Sequence, residues 1–192
     1  MTDTPKTVFF IGKPGSGKGT QAKLLAAKTG WTILASGAQF REIAKEESLL
    51  GRKVEEALAQ GLLMPHWFAM YLYQRALFSV PEDQSIVFDG FNRKLAEAEL
   101  NIATLEWLGR PFVVLNIQVS DEHVKERLAE RAKTSGRSDD RQDAFDERLD
   151  EYRAHTTQSI DLFREKHSLI DINGEQTPEE VFADICKALN LE

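Results

Sequence analysis

TVFFIGKPGSGKGTQAKLLAAKT, residues 7–29, is the stretch from which the rest of the chain is read. An apolar run from Val8 to Ile11 leads into Gly12, Gly15 and Gly17, followed at once by Lys18. Beyond the lysine, Gln21, Lys23 and Lys28 are set against Leu24, Leu25 and Ala27 with the period of a helix. The order is strand, phosphate-sized loop, helix. A loop that wraps an anion must turn several backbone N–H groups inward. Glycines permit the positive φ this requires and bring no Cβ into the anion's space. The helix that follows adds unpaired N-terminal amides and the positive end of its dipole. Lys18 supplies a mobile point charge for the outer phosphates of a nucleotide.

Gly12, four residues, then Gly17-Lys18 is the spacing of the phosphate-binding loop of nucleoside triphosphatases and kinases. Gly19 stands where a Ser or Thr hydroxyl would reach Mg²⁺, and the hydroxyl comes one residue later, at Thr20. A glycine-rich turn with a surface lysine is the competing interpretation, and it gives no reason for the flanking strand and helix.

At 192 residues the chain is long enough for one sizeable domain and short for two. A net charge of −7 excludes a surface built to grip a nucleic-acid duplex or an anionic membrane, so positive charge for phosphates must be local. The single cysteine, Cys186, has no internal partner, reads as a small core residue and fits a reducing, cytoplasmic setting. The N-terminal MTDTPKT lacks the basic and apolar regions of a signal peptide. The most apolar window, Gly61 to Tyr73, is broken by Pro65 and His66 and is too short to cross a bilayer. The scattered histidines and lone cysteine argue against zinc.

Taken in order, Thr29-Gly30 closes the first helix, and Trp31 to Ala35 predicts a second strand. Helices are expected over Ala38–Ser48 and Arg52–Gln60, a turn at Leu62-Leu63-Met64, and a helix from Pro65 to Phe78. This segment lies between two strands as a helical insertion, and it can form one wall of a cleft. Ser85 to Phe88 predicts the next strand, ending in Asp89-Gly90. Asp89 either holds the water shell of Mg²⁺ beside the phosphate loop or caps the helix expected over Asn92–Glu106. Phe112 to Val119 predicts a strand buried on both faces, and Ser120 caps a helix to Arg131. Leu169 to Ile172 is the fifth strand, and Thr177-Pro178-Glu179-Glu180 is a capping box opening a last helix that buries Val181, Ile185 and Leu189. Strands alternating with helices at this rhythm predict an α/β fold, a parallel five-stranded sheet with helices on both faces.

Five arginines crowd residues 127–148: Arg127, Arg131, Arg137, Arg141 and Arg148. They are either solvated helix faces paired with Glu126, Glu130 and Glu147, or phosphate ligands. The acidic background and the phosphate loop favour the second interpretation, with at least three of the five facing the phosphates. The helix that carries Arg148 is expected to be long, with Phe145, Leu149, Tyr152, Thr156 and Phe163 drifting along one face. The polar stretch Lys133 to Asp140 is a candidate mobile loop.

Several segments, in this order, resemble the adenylate kinase family of nucleoside monophosphate kinases: GKPGSGKGTQ, SGAQFR, GLLMP, DGFNR, the RLAER helix, GRSDD and RLDEY. The likeness runs from Val8 to the last helix. It implies the three-layer P-loop NTPase fold, with core segments 1–35, 79–131 and 139–192, a monophosphate-binding insertion over 36–78 and a short lid over 132–138. It further implies that Gly12, Gly15, Ser16, Gly17, Lys18, Gly19 and Thr20 hold the ATP phosphates and that Arg127 stacks on the ATP adenine. Arg41 and Arg93 would grip the acceptor phosphate. Ser36, Leu63, Met64, Gly90 and Glu97 would border the acceptor. Arg131, Arg137 and Arg148 would gather, with Lys18 and Arg93, around the transferring phosphoryl group. Asp89, with Thr20 as a possible second group, would serve Mg²⁺ as the cofactor.

The departures from the family pattern are specific. Ala38 replaces an aspartate, Asn92 replaces the proline of the glycine-phenylalanine-proline-arginine run, and Arg141 replaces an asparagine. Glu97 stands where a glutamine reads the adenine edge, and an ionised carboxylate accepts from the adenine amino group but cannot donate to N1. The expected reaction is reversible transfer of the γ-phosphoryl of Mg-ATP to AMP, by a cytoplasmic monomer whose partners are ATP and a nucleoside monophosphate. A kinase for CMP, UMP or GMP and a nucleotide-binding regulatory protein with weak turnover are the alternatives. Water must be kept from the phosphoryl group, so closure of 133–140 and of 38–78 is expected.

Overall fold

The computed structural model describes residues 5–135 and 142–191, with backbone alone for 131–135 and 142–144. Arg131, Arg137, Arg141 and the short lid of 132–138 therefore lie outside the described side chains.

Strand β1, Thr7–Gly12, is buried along its whole length. Val8 and Phe10 point into one core with Ala22, Leu25, Leu115, Ile172 and Ile185. Phe9 and Ile11 point into the other, with Met70, Tyr73, Phe88, Ile102 and Phe163. A strand with a core on each side is central in its sheet, with helices over both faces. The other strands are β2 (Thr32–Ala35), β3 (Ile86–Asp89), β4 (Phe112–Gln118) and β5 (Leu169–Asn173). They form a five-stranded sheet in the order β2-β3-β1-β4-β5, and every pairing is parallel. The chain leaves β1 toward β2 and β3 on one side and later builds β4 and β5 on the other. This reversal opens a crevice at the carboxyl ends of β1 and β3.

Helix α1, Lys18–Thr29, starts from Gly17 and ends on left-handed Gly30, whose N–H donates to the Ala26 carbonyl. Between β2 and β3 run α2 (Ser36–Ile43), α3 (Leu49–Ala59) and α4 (His66–Ser79). They close their own small core of Phe40, Val54, Met64, Phe68, Ala69 and Leu72. The helix expected over Ala38–Ser48 starts earlier and is shorter, because Ser48 is extended and its hydroxyl accepts from the Gly51 N–H at 2.9 Å. Ser48 caps the next helix instead of ending this one. A Cβ on Gly51 would lie 2.2 Å from the Glu46 carbonyl oxygen, so only glycine lets the chain turn back that tightly.

Helix α5 spans Leu95–Trp107, three residues later than the expected start, because Asn92 has φ 61° and cannot begin a right-handed helix. Helix α6, Asp121–Ser135, carries Asp121 and Glu122 in its first turn, and the Ser120 hydroxyl accepts from the His123 N–H at 3.3 Å. The long helix expected after it is two helices, α7 (Gln142–Glu151) and α8 (Thr157–Glu165), joined by a π-helical turn over Tyr152–Thr156. That turn explains the drift of the apolar stripe, since one wide turn rotates the buried face. Helix α9, Pro178–Ala188, opens with the full capping box between Thr177 and Glu180. It buries Val181 and Ile185. Cys186 is half-buried at the core margin, not the core residue its neighbours suggest. None of the described helices is long and apolar enough to cross a membrane.

Candidate active site

The crevice at the carboxyl ends of β1 and β3 is a cleft of about 550 Å³. Its floor is the loop between β1 and α1. Gly12 has φ 140°, and a Cβ there would lie 2.6 Å from the Ile117 carbonyl oxygen, so the loop leaves the sheet only with glycine at this position. The Lys18 ammonium donates to the Gly12 carbonyl at 2.8 Å and the Lys13 carbonyl at 2.5 Å, which holds it over the loop. Gly15, Ser16, Gly17, Gly19 and Thr20 line the cleft beside it.

Asp89 ends β3, in register with Phe10 on β1 and Ala35 on β2, and faces the same cleft. The next helix begins only at Leu95, so Asp89 does not cap it. A Cβ on Gly19 would approach Asp89 Oδ2 to 3.1 Å. Glycine at 19 thus leaves open the space between α1 and the carboxylate that a serine would crowd. Among the described residues no three His, Cys, Asp or Glu side chains group as a metal cage. One carboxylate with a hydroxyl nearby is the donor set of an ion that keeps its waters and binds phosphate oxygens, which suits Mg²⁺.

On one side of the floor Arg127 reaches down from α6. Its guanidinium donates to the Gly174 carbonyl at 2.8 Å and the Ser16 carbonyl at 3.4 Å, so it faces the cleft and not the glutamates of its own helix. Gly174, Gln176 and Pro178 complete this wall, with Gln21 Nε2 donating to the Pro178 carbonyl at 2.9 Å to tie α1 to it. Sequence inspection missed these residues. The available signal was their place just after β5, since loops that follow strand C-termini line the crevice of such sheets.

On the other side Gly37, Ala38 and Arg41 of α2 line the cleft together with Gly90, Arg93 and Arg148. The Arg41 guanidinium lies over Gly37, where a Cβ would come within 3.2 Å of it. A recess continues from here, lined by Leu63, Met64, Phe40, Ala69 and Glu97. Six residues, Gly37, Arg41, Leu63, Gly90, Arg93 and Arg148, line both spaces, so recess and cleft are continuous. Ser36, expected at the border of the acceptor, is buried behind the wall. Its hydroxyl donates to the Gly90 carbonyl at 2.9 Å and so shapes the wall without lining it.

Glu97 sits in the first turn of α5, with 3% of its surface exposed. Its Oε2 accepts from the Arg93 N–H at 2.8 Å. Burial pushes its carboxyl above the usual carboxylate range, against the pull of the Arg93 and Lys94 amides and charges. A carboxyl that holds its proton can donate as well as accept, as a glutamine does. Of the five clustered arginines, Arg127 and Arg148 line the cleft. The side chains of the other three fall outside the described residues.

A family model described as "Adenylate kinase" matches residues 10–168. Similar curated proteins include the adenylate kinase of Thermus thermophilus, 34% identical over 190 residues that cover 98% of this chain and all of the relative. The adenylate kinase of Bacteroides thetaiotaomicron is 32% identical over 184 residues, covering 95% of this chain and 97% of the relative. That of Porphyromonas gingivalis is 34% identical over 175 residues, or 91% and 90% of the two chains. With the parallel sheet, the glycine loop and the cations gathered in one cleft, these matches identify the chain as a member of the adenylate kinase family.

Proposed function

We propose that this chain catalyses reversible transfer of the γ-phosphoryl group of Mg-ATP to AMP, yielding two ADP, as a cytoplasmic enzyme. The observation that carries it is the continuity of the cleft. Cleft and recess share six lining residues and together reach from the Lys18 loop to the Arg41 and Arg93 wall and the Glu97 recess, which supports a donor site and an acceptor site side by side.

On the family resemblance, the loop from Gly12 to Thr20 and the Lys18 ammonium hold the donor phosphates, and Arg127, which lines the same cleft, stacks on the donor base. Arg41 and Arg93 take the acceptor phosphate as forked, charge-assisted ligands. Arg148, joined by Arg131 and Arg137 on the family resemblance, neutralises the charge that spreads over the group in flight. Asp89 and Thr20 are the groups that would hold Mg²⁺ through its waters. When bound, that ion supplies charge neutralisation at the phosphate oxygens. No general base is required, because the acceptor phosphate is already a nucleophilic anion. Leu63, Met64 and Glu97 border the acceptor base, and the Glu97 carboxyl can accept from the adenine amino group.

The test is a mass balance on purified protein with Mg-ATP and AMP. Two ADP formed for each ATP consumed, with no inorganic phosphate, is expected. ATP binding without ADP formation contradicts the proposal and leaves a regulatory protein in its place.

A further inference from the structure

Arg93 is held by contacts from three directions. Its N–H donates to Glu97 Oε2 at 2.8 Å, its Nε donates to the Gly90 carbonyl at 2.8 Å, and its carbonyl accepts from the Thr156 hydroxyl at 3.1 Å. These bonds fix where Arg93 is tied. The direction in which the chain enters it is set by the residue before.

Asn92 has no exposed surface and a φ of 61°. This is the left-handed region, uncommon for any residue with a Cβ and closed to proline, whose ring locks φ near −65°. In the backbone seen here, the proline of the family pattern could not stand at 92. Asparagine tolerates left-handed φ best when its amide is bonded locally, yet this amide is not. It hydrogen-bonds the amide of Asn101, two turns along α5 and equally buried. The remaining amide atoms of the pair, Asn92 Nδ2 and Asn101 Oδ1, meet no partner among the described residues. A buried amide pair satisfied on one side only is a weak source of stability beside an apolar pair of the same shape. What it supplies is one discrete geometry, anchoring a strained loop residue to a rigid helix.

We propose that Asn92 and Asn101 form a positioning pair, whose amide bridge holds the loop after β3 in its left-handed turn and thereby aims the Arg93 guanidinium into the acceptor side of the cleft. This rests on the reading of Arg93 as an acceptor ligand. Neither asparagine lines the cleft, so the pair acts through Arg93.

The test is steady-state kinetics with separate KM values for AMP and ATP, on Asn101→Ala, Asn92→Ala, Asn92→Gly and Arg93→Ala, each checked for folding by circular dichroism. A misaimed binding group costs on the order of 10-fold or more, so Asn101→Ala and Asn92→Ala raise the AMP KM about 10-fold. The ATP KM stays within about twofold, because the donor half is untouched. Asn92→Gly accepts the same φ freely, so its rise is smaller, about threefold. Should Asn101→Ala fail to fold, Asn92→Gly decides. AMP KM within twofold of wild type in the folded variants, alongside a large rise in Arg93→Ala, overturns the pairing alone. So does a parallel rise in both KM values. An unchanged AMP KM in Arg93→Ala overturns the reading of Arg93 itself, and the pairing with it.

Discussion

Around residues 12–20 the cleft is lined by a glycine-rich loop and one lysine, set between two elements adjacent in sequence. Around Arg41 and Arg93 it is lined by side chains from α2, the loop after β3, the turn at Leu63 and the end of α7, brought together across more than 100 residues. The donor half is held by glycine geometry and by α1. The acceptor half is held by polar contacts, two between distant segments, Ser36 to Gly90 and Thr156 to Arg93, and two between the loop after β3 and the helix that follows it, Asn92 to Asn101 and Arg93 to Glu97. Main-chain recognition of a triphosphate is generic. Recognition by placed side chains is where selectivity for one acceptor can be built.

If the two halves divide the work in this way, substitutions separate into turnover and acceptor effects. The largest effect is expected from Lys18→Ala. Loss of a cation that follows the transferring charge lowers kcat about 10³-fold or more, with the melting temperature little changed. Equal turnover in variant and wild type breaks the donor assignment. Arg93→Ala comes next, with an AMP KM about 100-fold higher for the lost charge-assisted contacts and an ATP KM close to wild type. Equal changes in both KM values would erase the distinction between the halves.

Glu97→Gln gives the smallest effect and the sharpest one. The folded chain keeps a proton on Glu97 to higher pH than the unfolded chain, whose carboxyl titrates near 4.5. Between those two values the folded state binds more protons, so stability falls as pH rises through that window and stays lower above it. Glutamine does not titrate. Melting curves of Glu97→Gln and wild type should therefore converge near pH 4.5 and separate toward pH 8, with the variant the more stable. A gap that does not change with pH contradicts the burial argument. At pH 8 the variant's AMP KM should be no higher than wild type, since the amide supplies both a donor and an acceptor.

The same contrast decided what could be read from the sequence. The donor half lies in one continuous stretch, and β1, its loop and α1 follow from local rules of alternation, glycine spacing and helix period. The capping box at Thr177 was equally legible, because its two partners are three residues apart. The acceptor half depends on contacts that no local pattern encodes. Nothing beside Asn92 marks it as left-handed, since its partner lies nine residues on, inside a helix. Ser36 is expected at the border of the acceptor, but its role behind the wall rests on Gly90, 54 residues away. The π turn at Tyr152–Thr156 is a single wide turn within an unbroken helical pattern, and it carries the Thr156 hydroxyl onto the Arg93 carbonyl. Arg41, Arg93 and Glu97 were nameable from the family resemblance. What holds each in place was not.

The central claim is that one continuous cleft joins a triphosphate site to an AMP site. It is tested most directly by an acceptor panel: purified protein, Mg-ATP, and AMP, GMP, CMP, UMP or dTMP under identical conditions, read as kcat/KM. The account predicts AMP ahead of every other acceptor by at least about 100-fold, the discrimination expected of a site that hydrogen-bonds its base. Comparable rates with CMP, UMP or GMP, or ADP formed from none of the five, would contradict it.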